Sequence, residues 1–212
     1  MPETTAIAGL TSFIPSPLTI KMAMIAALFQ IGDPASVQHL LNNMAKTKVK
    51  IMPPKAALSF KAFMRYRSPP AIESEKEMDQ TGSFYPSRPY TREYALFHDN
   101  LTVFIETPIN VKRIAEKALR NIRYLGCKDS LVSLEEISEE FPEENKCAKE
   151  LVNLKVPGVA VLLADFSPEN TFDDIVQLIP GNRDENMYQK KKYMLPGKIL
   201  TRGKTRLFAR NF

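Results

Sequence analysis

The stretch Ser12-Phe13-Ile14-Pro15-Ser16-Pro17-Leu18-Thr19 decides how the chain begins to fold, because it leads directly into an apolar segment that ends at Gly32. Proline fixes φ, so Pro15 excludes a helix through its own position, whereas Pro17 suits a first helical turn with Ser16 as its N-cap. We therefore predict a helix from Pro17 to Gly32. Residues at three- and four-residue spacings would form its buried face: Leu18, Met22, Ile25, Ala26 and Phe29.

The same stretch carries three hydroxyl groups, those of Ser12, Ser16 and Thr19, beside the start of that helix. A helix N-terminus favours phosphate, so this loop is a candidate anion-binding site. From the pattern alone, a stiff, purely structural entry into a core helix is the simpler interpretation. The loop alone does not separate these two interpretations.

The composition is that of an ordinary globular chain whose charges are unevenly distributed. The 212 residues are 44% hydrophobic and 25% charged, which predicts a single domain, and the net charge is +5. Residues 35–72 and 190–210 contain no acidic side chain, whereas carboxylates dominate 135–150. This segregation predicts a basic face and an anionic partner.

Several classes of protein lack their sequence signatures here. Cys127 and Cys147 are the two cysteines and no leader precedes them, which predicts a reduced, cytoplasmic setting. The cysteines lack metal-ligand spacing and His39 is far from His98, so we expect no metal and no cofactor. The apolar run 18–31 is too short to span a membrane, and we expect no membrane partner. Glycine-rich phosphate loops and common hydrolase motifs are absent from the sequence.

Patterning along the rest of the chain predicts helices mixed with antiparallel strands. The predicted elements are a helix from Asp33 to Met44, strands at 47–52 and 58–66, a loop at 69–89, a hairpin of 90–97 and 101–106 turning at His98-Asp99-Asn100, a helix capped by Asn110 and stopped by Gly126, strands at 131–134 and 159–164, and a basic hairpin at 198–210. This order predicts an α+β fold of the ferredoxin-like type, with helices on one face of the sheet, as one domain over residues 1–212.

The first candidate nucleic-acid surface is a basic stretch interleaved with aromatic residues. Its members are Lys46, Lys48, Lys50, Lys55, Lys61, Arg65 and Arg67, with Phe60, Phe63 and Tyr66 between them. Cationic groups neutralise phosphates and aromatic rings stack on bases, a combination typical of sites for single-stranded nucleic acid. The alternative is a solvated strand whose lysines protect a sheet edge.

Two shorter candidates follow. In the segment 85–94, Arg88 and Arg92 could bind phosphate, although the same segment also fits a plain junction between loop and strand. In the turn 124–130, Lys128 and Ser130 could face RNA, although a glycine turn after a helix is most simply a C-cap.

Three motifs in this order resemble the CRISPR-associated RAMP proteins of family five. They are the proline-containing loop and helix from Phe13 to Gly32, the Arg92-Glu93-Tyr94 strand, and the Leu-Gly-x-Lys-x-Ser turn from Leu125 to Ser130. The resemblance implies a ferredoxin-like (RRM-like) RAMP domain with an antiparallel sheet and a protruding thumb hairpin within 46–89. It assigns no role to the acidic insertion at 135–150.

The resemblance further implies a non-catalytic subunit of a type I CRISPR Cascade surveillance complex, acting in antiviral defence. Such a subunit binds the 5′ handle of crRNA and caps the backbone filament, with the backbone and large Cascade subunits as protein partners. Whether it also touches target DNA stays open. Together with the candidates above, the expected RNA-binding residues are Ser12, Phe13, Ser16, Thr19, Lys21, Lys48, Lys50, Arg65, Arg67, Arg88, Arg92, Lys128 and Ser130.

Some members of that family cut precursor crRNA with a histidine, a lysine and a tyrosine. Cleavage of this kind needs one group to deprotonate the 2′-hydroxyl and another to protonate the leaving oxygen. His98 beside Tyr94 and Lys128 is the corresponding candidate here, but a solvent-exposed turn histidine explains His98 more simply. We expect a binding subunit, with a metal-independent endoribonuclease as the alternative and an unrelated ferredoxin-like protein that binds no RNA as a third.

Overall fold

The computed structural model describes residues 8–9, 11–67, 87–126, 129–152, 157–167, 188–201 and 205–211. Among them are three α-helices: α1 (Pro17–Gln30), α2 (Pro34–Met44) and α3 (Lys112–Arg120). The strands are β1 (Ala8–Gly9), β2 (Lys48–Met52), β3 (Ala56–Arg67), β4 (Ser87–Phe97), β5 (Thr102–Glu106), β6 (Lys149–Glu150), β7 (Val159–Phe166), β8 (Tyr188–Leu195), β9 (Gly197–Thr201) and β10 (Thr205–Arg210). The α+β class is confirmed, while the ferredoxin-like subtype stays a prediction. None of the described helices has the length and apolar character needed to cross a bilayer.

Helix α1 has the predicted limits but a different buried face. Ser16 Oγ accepts a hydrogen bond from the Thr19 N–H at 3.1 Å, and the helix ends before Gly32, whose φ is +70°. Of the predicted face, Ile25 is buried as expected, but Phe29 is 51% exposed and Met24, outside the predicted face, is fully buried. The buried side chains of α1 belong to Pro17, Ile20, Lys21, Ala23, Met24, Ile25, Ala27 and Leu28. The helix is apolar on almost every side, so its periodicity could not select the face that packs.

Helices α2 and α3 complete the helical layer. Helix α2 has the predicted limits and buries the apolar side chains of Val37, Leu40, Leu41 and Met44. Helix α3 buries Ala115 and Ala118, but both of its predicted ends are wrong. Asn110 lies in a 3-10 turn (Ile109–Val111) and caps nothing, and the helix ends at Arg120, before Gly126.

The described strands form three sheets. The largest has the order β1-β4-β3-β10-β9, in which β1 runs parallel to β4 and the other pairs are antiparallel. Strand β2 pairs with β5 in a second sheet, and the third has the order β6-β8-β7. The predicted hairpin at 198–210 is confirmed as β9 and β10.

The predicted hairpin of 90–97 and 101–106 is wrong. Strand β4 pairs with β3 over its whole length, from Ala57 opposite Phe97 to Arg67 opposite Ser87, whereas β5 pairs with β2. Residues 98–100 therefore carry the chain from one sheet to another, and turn chemistry alone does not distinguish such a connection from a hairpin. The predicted strand at 131–134 is also wrong, being reduced to one bridge between Tyr124 and Leu131.

Two insertions were expected, and the structure describes them to different extents. Val49 and Ile51 of β2 are 9% and 2% exposed, so the beginning of the expected thumb contributes to the core. Residues 68–86, which include the rest of its connecting segment, lie outside the described residues. The acidic insertion at 135–150 is mostly exposed, with Cys147 buried near its end.

The end of the acidic insertion joins two sheet edges. The Ala148 N–H donates to the Ile51 carbonyl of β2 at 2.8 Å, and the Leu151 N–H donates to the Lys192 carbonyl of β8 at 2.8 Å. Since β2 already pairs with β5 on its other side, this segment supplies partners to backbone groups of both sheets. Its structural role is therefore to connect the β2–β5 sheet to the β6-β8-β7 sheet.

One buried carboxylate connects the N-terminal loop to the largest sheet. Glu93 on β4 is 6% exposed and accepts hydrogen bonds from the Thr11 N–H, from Ser59 Oγ and from Arg206. Burial by itself would raise the pKa of Glu93, but the hydrogen bonds from Ser59, Arg206 and Thr11 outweigh it and hold the pKa below its usual value. The carboxylate is therefore ionised at neutral pH and fixes the loop on the sheet.

We expect Glu93→Gln to lower the free energy of unfolding by about 2–3 kcal/mol, because it removes a charged acceptor from three donors. The measurement is urea denaturation at pH 7. Glu106→Gln is the matched control, since Glu106 pairs with Lys48 but is 71% exposed, and exposed pairs contribute little.

Because the folded-state pKa of Glu93 is depressed, its contribution exists above the unfolded pKa of about 4.3 and is lost as the pH falls through the folded pKa. The difference in stability between wild type and Glu93→Gln should shrink on acidification. Two results would contradict the assigned role of Glu93. One is an equal loss of unfolding free energy in Glu93→Gln and Glu106→Gln, and the other is a loss in Glu93→Gln that does not depend on pH.

Candidate nucleic-acid interface

The structure brings together three motifs that are far apart in the sequence. Gly126, with φ +83°, lies against the start of α1: a methyl group on its Cα would be 3.7 Å from Thr19 Cγ2. On the other side of the same turn, Asp129 Oδ2 accepts a hydrogen bond from Arg92 Nη1 at 2.7 Å. The proline-containing loop, the Arg92 position of β4 and the turn at 125–130 therefore form one surface, which we call the junction surface.

Hydroxyl groups rather than backbone amides are the polar groups that α1 offers to this surface. Pro17 has no N–H, the Thr19 N–H is capped by Ser16 Oγ, and the Ile20 N–H donates to the Ser16 carbonyl at 3.2 Å. The helix end therefore has few free amides for phosphate. Ser16 Oγ and Thr19 Oγ1 lie 2.9 Å apart and are partly exposed, as is Ser12.

Two of the expected RNA-binding residues are inside the protein. Phe13 is 2% exposed and stacks on Phe208, with 5.4 Å between the ring centroids, and the Arg206 guanidinium lies over its ring. Lys21 is 1% exposed and forms an ion pair with Asp165 at 2.7 Å. Both side chains position the loop and the helix from within, so they are not available to a ligand in this structure.

Three lysines of the basic stretch have carboxylate partners, although the segment 35–72 itself contains no acidic residue. Lys48 pairs with Glu106 at 3.1 Å, and Lys50 pairs with Glu144 of the acidic insertion. Lys55 likewise pairs with Asp99 at 3.1 Å. The carboxylates come from distant parts of the sequence, which a local search for acidic residues cannot find. Lys48 and Lys50 also belong to β2, in a different sheet from Arg92.

The remaining candidates are described in part. Arg65 and Arg67 on β3 and Arg88 on β4 lie in the paired backbone, where Tyr66 is opposite Arg88, but their side chains are outside the described residues. Lys128 is outside them as well. Ser130 is exposed, and its carbonyl accepts the Leu125 N–H at 3.0 Å, which closes the turn.

Sequence reasoning missed Asp129, the residue that contacts Arg92. Its position inside the quoted turn was the available signal, since an acidic residue between Lys128 and Ser130 can pair with a nearby cation. The Arg92–Asp129 pair is half-exposed, with 36% and 57% of the side chains accessible. Such a pair is weakly bound and exchangeable.

The expected catalytic candidate lies in the turn after β4. His98 is exposed, and its backbone N–H donates to the Ala56 carbonyl at 2.9 Å. Within the described part of the chain, no group of three or more His, Cys, Asp or Glu residues could hold a metal ion.

Lys21 is buried more deeply than its partner Asp165, so removing one member of the pair should not have the same effect as removing the other. Burial holds the pKa of Lys21 below its usual value although Asp165 opposes the shift, and Asp165 is 23% exposed. We expect Asp165→Asn to cost about 3 kcal/mol, because it leaves a buried cation alone, and Lys21→Met to cost less, because Asp165 still reaches water. Urea denaturation of both variants measures the difference.

The lowered pKa of Lys21 also predicts how the stability of Asp165→Asn depends on pH. Between the lowered folded pKa of Lys21 and its unfolded value of 10.5, the unfolded chain binds more protons, so stability rises with pH. The defect of Asp165→Asn should therefore diminish towards pH 10. A larger defect in Lys21→Met than in Asp165→Asn would contradict this account.

No model of a known protein family matches the sequence, and no curated protein matches it. The likeness to RAMP proteins therefore rests on the three motifs and their order, and the junction surface rests on its own contacts.

Proposed function

We propose that this protein is a non-catalytic crRNA-binding subunit of a type I CRISPR Cascade complex in the cytoplasm. In this proposal it binds the 5′ handle, caps the backbone filament beside the backbone and large subunits, and has a ferredoxin-like RAMP fold. One observation carries the proposal. The three motifs on which the resemblance rests are adjacent in the fold: a methyl group added to Gly126 would touch Thr19, and Arg92 donates a hydrogen bond to Asp129.

The chemistry of the junction surface suits a phosphodiester. Arg92 presents a planar guanidinium that can bind two phosphate oxygens, and the hydroxyls of Ser16 and Thr19 lie on the same surface. In the structure, the Arg92 guanidinium donates a hydrogen bond to the carboxylate of Asp129. Because that pair is half-exposed, a phosphate can replace the carboxylate at little cost.

The test is binding of a short single-stranded RNA, measured by fluorescence anisotropy at several salt concentrations. We expect Arg92→Ala to weaken binding about tenfold and to reduce the slope of log Kd against log salt by about 0.7, the value for one phosphate contact on a single strand. Arg113→Ala is the matched control, because Arg113 is an exposed arginine of α3 and lies outside the junction surface.

Asp129→Asn supplies the opposite test. It removes the carboxylate that competes for Arg92, so RNA should bind at least as tightly as to the wild type and with the same salt slope. Failure of wild type to bind RNA at low salt would overturn the proposal. If the protein cleaves precursor crRNA in EDTA and His98→Ala abolishes this cleavage, the protein is instead the metal-independent endoribonuclease.

A further inference from the structure

The face of the largest sheet that points away from Glu93 is apolar and exposed. Side chains alternate along a strand, and Leu58 is directly opposite Leu96 while Phe60 is directly opposite Tyr94, so these four share one face. Leu58 and Leu96 are 38% and 59% exposed. No described element covers this face, which we call the outer sheet face.

The centre of the outer sheet face is an aromatic pair. The rings of Phe60 and Tyr94 are stacked, with 5.9 Å between their centroids and 26° between their planes, and both residues are partly exposed. Arg92 lies two residues before Tyr94 and therefore on the same face, opposite the small side chain of Ala62. A cation thus borders the aromatic pair.

These positions place the aromatic pair beside the guanidinium of the junction surface. Alternate residues on a strand are about 7 Å apart, so one nucleotide can put its phosphate on Arg92 and its base on Tyr94. Aromatic side chains stack on the bases of single-stranded RNA whatever their sequence. A cationic neighbour fits a phosphodiester chain better than it fits a purely apolar protein surface.

We propose that the Phe60–Tyr94 pair is a stacking platform for unpaired RNA bases. The bound RNA would then run from the junction surface across the outer sheet face. This inference rests on the proposed function. It pairs Phe60, one of the aromatic residues of the basic stretch, with Tyr94, which lies outside the set of residues expected from the sequence to bind RNA. The bound class is single-stranded RNA, read by its base faces rather than by sequence.

The chain contains no tryptophan, which provides a specific probe. Phe60→Trp introduces one indole into the platform, and we expect single-stranded RNA to quench its fluorescence. An RNA of the same length with abasic sites should bind through its phosphates and leave the fluorescence unchanged. Phe63→Trp is the control, because Phe63 lies on the same strand, faces the other side of the sheet and is 68% exposed.

Affinity measurements complete the test. Phe60→Leu and Tyr94→Leu should each weaken binding of intact RNA about tenfold, with abasic RNA and the salt slope unaffected. Phe63→Leu should change neither. Abasic RNA separates this inference from the proposed function, because phosphate binding at Arg92 survives loss of the bases.

Four results would overturn the platform. Equal quenching by intact and abasic RNA, or equal affinities for Phe60→Leu and Phe63→Leu, would leave the pair as a cross-strand contact of the sheet. Loss of a co-purifying protein subunit from the leucine variants, with RNA affinity intact, would assign the outer sheet face to a protein partner. If wild type binds no RNA, the proposed function fails and the platform fails with it.

Discussion

The carboxylate of Glu93 is the interaction on which the position of the candidate site depends. This buried charge accepts hydrogen bonds from the Thr11 N–H, the Ser59 hydroxyl and the Arg206 guanidinium. Arg206 in turn donates to the Thr11 carbonyl at 3.3 Å and lies over Phe13. The loop before α1, the central strand and the last strand are therefore held by a single group. A buried charge with these partners specifies one arrangement, since any other would leave it unpaired.

Glu93 and Arg92 are neighbours on β4, so their side chains point to opposite faces of the sheet. Glu93 faces the core and holds the loop, whereas Arg92 faces outward and contacts Asp129. A slip of one residue in register would bury the arginine and expose the carboxylate. The long pairing of β3 with β4 and the parallel contact of Gly9 with Arg92 both oppose such a slip. The geometry of the outward-facing site is thus fixed by the same strand register that satisfies the core.

Local signals in the sequence predicted local structure well. Ser16 as a cap, Gly32 after the first helix and the limits of α2 depend on neighbouring residues, and each was found. What could not be predicted depends on partners distant in the chain. Lys21 looks like a surface cation until Asp165 is placed beside it, and β5 looks like the partner of β4 until β2 is found to pair with it.

The candidate site shows the same division between local and distant information. The motifs around Thr19, Arg92 and Gly126 were recognisable in the sequence, but their contact is a property of the folded chain. Phe13 was expected to bind RNA as part of the proline-containing loop, but it is buried beneath the Arg206 guanidinium, so that prediction is wrong. Motif order therefore located the surface, while burial decided which of its side chains can face a ligand.

Net positive charge alone does not explain how this protein would select an anion. Lys48, Lys50 and Arg92 each have a carboxylate partner, so the positive charge at these three positions is compensated. A ligand at Arg92 must displace Asp129, and added salt screens both the existing pair and the new one. The advantage of a phosphodiester must therefore come from what a lone carboxylate lacks: a second phosphate along the strand, and a base that can lie on an aromatic ring. The outer sheet face supplies the ring next to the cation, so that selection depends on shape and stacking as much as on charge.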